Sequence, residues 1–231
     1  MPSPPKKRKL KNLSDITKGS NPNMNNKKLP GIPFVLSGPS GCGKGTIVKA
    51  LLARYPERFA LSVSATTRDP RVGEENGVHY HFITREEFER RIDEQQILEY
   101  TTYCGNYYGT PKKELYERTV EGINVILEIE VEGAMNVRRL CPEAVLIYVL
   151  PPDARTLEER LRGRGTNTEE DIRNRLATAR EEIRSLPEYD YLVYNEDGGA
   201  EAAAEEIVNI ITSEQHRVSR NLENAIRFFD T

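Results

Sequence analysis

The chain holds no tryptophan, and only three cysteines and three histidines. Cys42, Cys104 and Cys141 are odd in number and lack metal-type spacing. That argues against a disulfide framework or a zinc site and fits a reducing, cytoplasmic setting. His79 and His81 lie two apart in "VHYHF" and read as polar strand positions rather than as a metal pair. No apolar run approaches the roughly 18 residues of a membrane span, and no apolar signal-peptide core is present, so no membrane partner is expected. The net charge of −3 hides an asymmetry. Residues 1–30 carry eight Lys and Arg against Asp15 alone, which leaves 25 basic and 35 acidic residues for the rest. A body so poor in positive charge lacks the basic face that counterion release needs, which argues against a specific nucleic-acid partner.

What is present is an alternation of short apolar runs and helical patterns after Gly31. "IPFVLS", "FALSVS", "NVILEIE", "AVLIYVLP" and "YDYLVYN" read as strands. The stretches from about Lys44 to Tyr55, "TREEFERRIDEQ", "GTPKKELYERTVEG", "DARTLEERLRGRG", "TEEDIRNRLATAREEIRSL" and "AEAAAEEIVNIITSEQHR" read as helices. Thr84 with Glu87 forms the pattern of a capping box. Such alternation predicts an α/β fold with a parallel sheet covered by helices. Residues 1–30, rich in Pro, Asn, Ser and Lys, read as a disordered arm. Its "PPKKRKLK" is open to three readings: a nuclear-import patch, a polyanion tether, or a solvated tail. The last residues, 218–231, read as a tail with a short helix packing through Leu222, Ile226 and Phe229.

"SGPSGCGKGT" follows the first strand and opens a helix. Gly38, Pro39, Ser40, Gly41, Cys42, Gly43 and Lys44 spell G-x-x-x-x-G-K in the context of a P-loop. The glycines let backbone N–H groups turn toward an anion, the helix N-terminus adds its positive end, and Lys44 adds a full charge. Gly45 stands where Ser or Thr would ligate magnesium, and Thr46 comes one place late. Thr46 then either caps the helix start or touches a phosphate, and direct metal ligation is not expected.

A second anion site is indicated by Arg68 and Arg71, three apart around Pro70, with Tyr80 following. Two guanidinium forks and a phenol suit a terminal phosphate dianion, although a loop of solvated arginines is the plainer reading. "LEYTTYCGNYYGTP" places Glu99, Tyr108 and Thr110 in a Gly-punctuated hairpin-like stretch.

"SGPSGCGKGT", "SVSATTRDPRVGEENGVHYHF", "EYTTYCGNYYGTP", "VILEIEVEGA" and "RLRGRGTNTEEDIRNRLATAREEI" occur in the order of the guanylate kinase family, which the chain resembles over roughly residues 32–217. The resemblance implies a P-loop nucleoside-monophosphate kinase fold over residues 31–217. It comprises a core of 31–63 and 122–217, a β-rich GMP-binding insertion at about 64–121, and a helical lid at about 160–172. It implies ATP and GMP as substrates, with dGMP left open, and Mg²⁺ held mainly through ATP phosphates and water. The P-loop from Gly38 to Thr46 would bind ATP. Ser64, Glu99 and Thr110 would bind the guanine ring, and Arg68, Arg71, Tyr80 and Tyr108 its phosphate, with Glu74 orienting that clamp. The carboxylate of Glu99 suits guanine because N1–H and N2–H₂ are adjacent donors, whereas adenine has an acceptor at N1. Glu128 and Glu130, expected on one face of a strand end, would position GMP or a magnesium-bound water. Arg162, Arg164 and Arg175 resemble lid arginines. Among these, Arg164 and Arg175 join Lys44 and Arg68 as the expected catalytic set. The GMP phosphate is itself an anionic nucleophile, so no Ser/His/Asp set is required.

Two rivals accompany that reading. A guanylate-kinase-like interaction module would keep the fold and bind proteins, but such modules typically lose the lysine or the lid arginines present here. A kinase of the same fold for another acceptor is disfavoured by Ser64 and Glu99 in their motifs. The sequence leaves the oligomeric state, monomer or homodimer, open.

Overall fold

The computed structural model describes residues 29–163, 165 and 167–226, apart from the side chains of Glu223 and Asn224. The arm up to residue 28, Arg164 and Phe229 lie outside the described residues.

Strand β1 (Pro33–Ser37) is buried at every position, the pattern of a strand covered on both faces. It occupies the middle of a five-stranded sheet in the order β2-β7-β1-β8-β9. The others are β2 (Phe59–Leu61), β7 (Asn124–Glu128), β8 (Val145–Leu150) and β9 (Tyr191–Tyr194), and all neighbouring pairs are parallel. Because successive side chains alternate faces, β1 feeds two cores. Phe34 and Leu36 pack with Ile47 and Leu51 of α1 (Lys44–Arg54) and with Ile207 and Ile211 of α7 (Ala200–Gln215). Val35 packs on the other side with Leu115 of α3 (Lys112–Val120) and Val137 of α4 (Val131–Leu140). Each such buried aliphatic side chain contributes about 1.5–3 kcal/mol, which keeps the sheet's carboxyl ends, where β1 runs into the Gly-rich turn, as the rigid part of the molecule.

A second sheet has the order β4-β3-β6-β5, from β3 (Ala65–Thr66), β4 (His81–Phe82), β5 (Ile97–Tyr103) and β6 (Asn106–Pro111). Its small core joins Ala65 and Ile97 to Phe88 of α2 (Arg85–Asp93). Finally, α5 (Ala154–Gly163) and α6 (Glu169–Glu182) share Leu157, Leu161, Ile172 and Ala179.

Four sequence expectations are corrected. "FALSVS" is not one strand: Ser62 N–H still donates to Ile126 of the first sheet, while the Ser64 carbonyl accepts from His81 of the second. The chain changes sheets between them. "NVILEIE" ends as a strand at Glu128, and Glu130 is instead the N-cap of α4, a helix that the sequence reading did not separate from the strand before it. The capping box of α2 is half formed. Thr84 Oγ1 accepts from Glu87 N–H, but the Glu87 carboxylate is drawn to Arg90 and Arg91. The tail does form α8 (Val218–Ile226), yet Leu222 and Ile226 are exposed. The helix is held by its polar side, with Arg220 on Glu214 and on the Glu143 carbonyl.

Candidate active site

The turn after β1 runs through Gly38, Gly41 and Gly43, all at positive φ. At Gly43 this is reinforced by space, since a Cβ there would come 2.2 Å from Asn195 Nδ2. No side chain caps the start of α1, so its first N–H groups stay available to an anion. Thr46 therefore does not cap the helix; it is exposed beside Gly45 on the first turn. Lys44 Nζ folds back to donate to the carbonyls of Gly38 and Pro39, which holds the ammonium across the mouth of the turn.

Two residues that sequence reasoning missed keep this turn in shape. Asn195, at the end of β9, donates from Nδ2 to the Cys42 carbonyl at 2.8 Å. Arg160 of α5 donates to the same carbonyl at 3.2 Å, and also to Asn195 O and to Asp197 Oδ1. With Cys42 O held from outside, the loop's N–H groups are left to face inward. Position just beyond the carboxyl end of a parallel-sheet strand was the available signal for Asn195; Arg160 had none among the three arginines of its helix. Burial pushes the Cys42 thiol up, out of the nucleophilic range.

The second sheet brings together a cationic pocket. Arg68 forms a two-pronged pair with Glu74, both bonds 2.7 Å, and lies over the rings of Tyr80 at 5.1 Å and Phe82 at 5.5 Å. Tyr80 in turn meets Tyr108 edge to face at 6.0 Å. Glu74 also accepts from the Arg71 backbone N–H at 2.7 Å. The Arg68 guanidinium, followed by that N–H, holds the Glu74 carboxyl at about 2. The Arg71 side chain is exposed beside this cluster. His79 is occupied locally, its Nδ1 accepting from Glu75 N–H.

Glu99 sits where a strand would ordinarily alternate. Ile97, Leu98 and Glu99 are all buried, because the pairing of β5 with β6 shifts register between Ile97 and Tyr100. The extra residue of this bulge turns the Glu99 side chain inward. Its Oε1 accepts from Thr110 Oγ1 at 2.7 Å, the residue is only 5% exposed, and burial pushes its pKa up to about 7. The charge of Glu132 adds to that rise. Ser64 is half-buried at the crossover between the sheets.

Glu128 ends β7 close to the P-loop, with Oε1 3.7 Å from where a Cβ on Gly45 would sit. Glu128 is exposed at the strand end, yet loss of hydration beside the loop raises its pKa, aided by Glu130 and opposed by Lys44. Glu130 is exposed at the start of α4, so the pair does not alternate along one strand. Across the cleft, Arg175 of α6 donates to Ser40 Oγ of the loop at 2.6 Å. Arg162 is instead bound to Glu158 and Glu169, joining α5 to α6, and Arg164 lies outside the described residues. No group of three or more His, Cys, Asp or Glu side chains suited to a metal occurs among the described residues. No described helix is long and apolar enough to cross a membrane.

A parallel sheet whose first strand runs into a Gly-Lys turn, with an arginine from a helical flap on that turn, defines a P-loop nucleotide kinase. The family model described as guanylate kinase matches residues 31–214. A guanylate kinase of Clostridioides difficile is 49% identical over 190 residues, 82% of this chain and 91% of that protein. One from Synechocystis is 49% identical over 182 residues, 79% of this chain and 94% of its own length. The crystal structure of guanylate kinase from Anaplasma phagocytophilum superposes with a TM-score of 0.67 at 33% identity, covering 87% of this chain and 96% of that one. The chain belongs to the guanylate kinase family.

Proposed function

We propose that this kinase moves the γ-phosphoryl group of ATP to the phosphate of GMP through the residues assembled above. Lys44 and the backbone N–H groups that the loop from Gly38 to Thr46 leaves free hold the β- and γ-phosphates. Thr46 contributes at most a phosphate contact, given its exposed place on the first turn. Arg68, Arg71, Tyr80 and Tyr108 hold the acceptor phosphate, with Glu74 fixing the Arg68 fork. Phosphoryl transfer needs alignment and charge neutralisation more than covalent chemistry. Arg175, already on Ser40, and Arg164 supply positive charge between donor and acceptor. The carboxylate of Glu128 beside Lys44 fits the water shell of a Mg²⁺ ion arriving with ATP better than direct ligation. That ion would neutralise the β/γ oxygens.

The observation that carries the choice of acceptor is Glu99. A carboxylate buried in the same sheet as the arginine pocket has to find donors, and N1–H with N2–H₂ of guanine supplies two side by side. Ser64 and Thr110 complete the base site. Adenine would face the carboxylate with a lone pair and lose about 10⁴-fold. The same base site accepts dGMP, which differs only at the ribose.

The test is ADP formation from ATP with GMP, AMP, CMP and UMP offered in turn. GMP is expected to exceed AMP by orders of magnitude, and Glu99→Gln to raise KM for GMP while leaving KM for ATP in place. Equal rates with AMP and GMP would remove the assignment of Glu99.

A further inference from the structure

Gly133 lies in the first turn of α4, buried and in ordinary helical conformation rather than at positive φ. Glycine there is locally unfavourable: alanine would stabilise a helix by roughly 0.5–1 kcal/mol. Neither a turn nor a left-handed backbone accounts for it. What accounts for it is space. A Cβ on Gly133 would come 3.2 Å from Glu99 Oε2, then 3.3 Å and 3.5 Å from Cδ1 and Cβ of Ile129. The other Glu99 oxygen is tethered to Thr110 at 2.7 Å. The carboxylate is therefore held at one oxygen and bounded at the other, and its plane is set between β6 and α4.

We propose that Gly133 is a specificity-positioning residue, whose missing side chain lets Glu99 present both oxygens in one plane to the acceptor base. This rests on the reading that Glu99 recognises guanine. Two adjacent donors need two coplanar acceptors, and hydrogen bonds weaken steeply with angle. A methyl group at position 133 presses on Oε2 while Thr110 retains Oε1, so the carboxylate tilts and both base contacts lengthen. Gly133 touches neither the P-loop nor the arginine pocket. Its effect is confined to the base, and it acts only through Glu99.

The experiment compares the full chain with Gly133→Ala, Glu99→Gln and the double variant, measuring thermal stability, KM for each substrate and the ratio of GMP to AMP use. Gly133→Ala is expected to keep its melting temperature and its KM for ATP while raising KM for GMP about five- to twentyfold and narrowing the GMP/AMP ratio. In the Glu99→Gln background the same substitution is expected to add nothing, because residues acting through one contact are non-additive. An unchanged KM for GMP would overturn the proposal, as would an equal rise in both KM values. If Gly133→Ala lowers stability, Gly133→Ala with Ile129→Val removes the nearest Ile129 carbon. A GMP defect that persists places the pressure on Glu99, and one that vanishes places it on Ile129 and overturns the proposal. Failure of the guanine reading is separable, since Glu99→Gln alone would then leave the GMP/AMP ratio untouched.

Discussion

The two ends of the cleft are built in opposite ways. The P-loop is made of backbone, anchored on a strand with every residue buried and braced from outside by Asn195 and Arg160 on one carbonyl. The acceptor pocket is made of side chains in a small sheet whose β4 residues are only half-buried. It is held by Arg68, Glu74 and the edge-to-face tyrosines Tyr80 and Tyr108. A backbone cradle depends on glycine positions and a strand–helix junction. A side-chain pocket depends on ionic partners keeping each other in place before the substrate arrives. The first should therefore fail through loss of charge, and the second through loss of partners.

The largest expected effect is on the cradle. Lys44→Ala removes a full charge from an otherwise neutral ring of N–H groups, and kcat should fall about 10²–10³-fold. Titration with GMP should show its affinity retained, because the hydrogen bonds of Lys44 Nζ all go to its own loop: the carbonyls of Gly38 and Pro39 and the Cys42 sulfur. A matching loss of GMP affinity would mean that the two ends are not separate sites.

Next in size is the partner effect. Glu74→Ala leaves the Arg68 fork without its two-pronged acceptor and frees the Arg71 backbone N–H. Bonds to charged groups are worth roughly 1.5–3 kcal/mol each, so KM for GMP should rise on the order of 10- to 100-fold in steady-state assays, with KM for ATP unmoved. A variant indistinguishable from the parent would show that the arginines need no preorganisation.

The same contrast explains what could be read from the sequence. G-x-x-x-x-G-K between an apolar run and a helix is a local pattern with a local cause, so the cradle was legible residue by residue. The alternation of apolar runs and helical periods was enough for the parallel core. The pairing of Arg68 with Glu74 was within reach because both lie in one short motif. Legibility ended where position depends on distant partners. Glu99 is turned inward by a register shift against β6, which its own strand does not encode. Asn195 and Arg160 meet at a carbonyl more than a hundred residues from Arg160. Helix α4 was hidden because no Gly or Pro separates the strand end at Glu128 from the helix start at Val131, and Glu130 was therefore expected on the strand.

A smaller effect separates the base pocket from both phosphate sites through pH. Glu99 has a folded pKa of about 7 against 4.5 for an ordinary glutamate. Below 4.5 it is protonated whether the chain is folded or not. Between 4.5 and 7 the unfolded chain ionises first, so the free enzyme loses about 3 kcal/mol of stability as pH rises through that window. Denaturant titrations of Glu99→Gln should lack this component. Guanine needs the ionised form, so KM for GMP should rise about tenfold from pH 8 to pH 6, with proton release on binding. The substrate phosphate also titrates near pH 6, and Glu99→Gln isolates its share. An identical pH profile in both proteins would remove Glu99 from the titration.

The smallest effect tests the brace itself. Arg160→Met keeps the length of the stem that packs along α5 and removes four donated bonds: one to Cys42 O, one to Asn195 O and two to Asp197. Asn195 still reaches the Cys42 carbonyl, so the turn should loosen rather than collapse. KM for ATP should rise about three- to tenfold, since one hydrogen bond to a charged group is replaced by water at a half-exposed site. Asp197 is exposed, and its ion pair with Arg160 adds little by itself. Any effect therefore reports on the carbonyl contacts. Arg160→Lys, which keeps the charge but not the fork, should recover only part of the loss. Full recovery would mean that the loop senses a positive charge on α5 rather than a positioned donor. The backbone cradle would then depend on side-chain electrostatics as much as the acceptor pocket does.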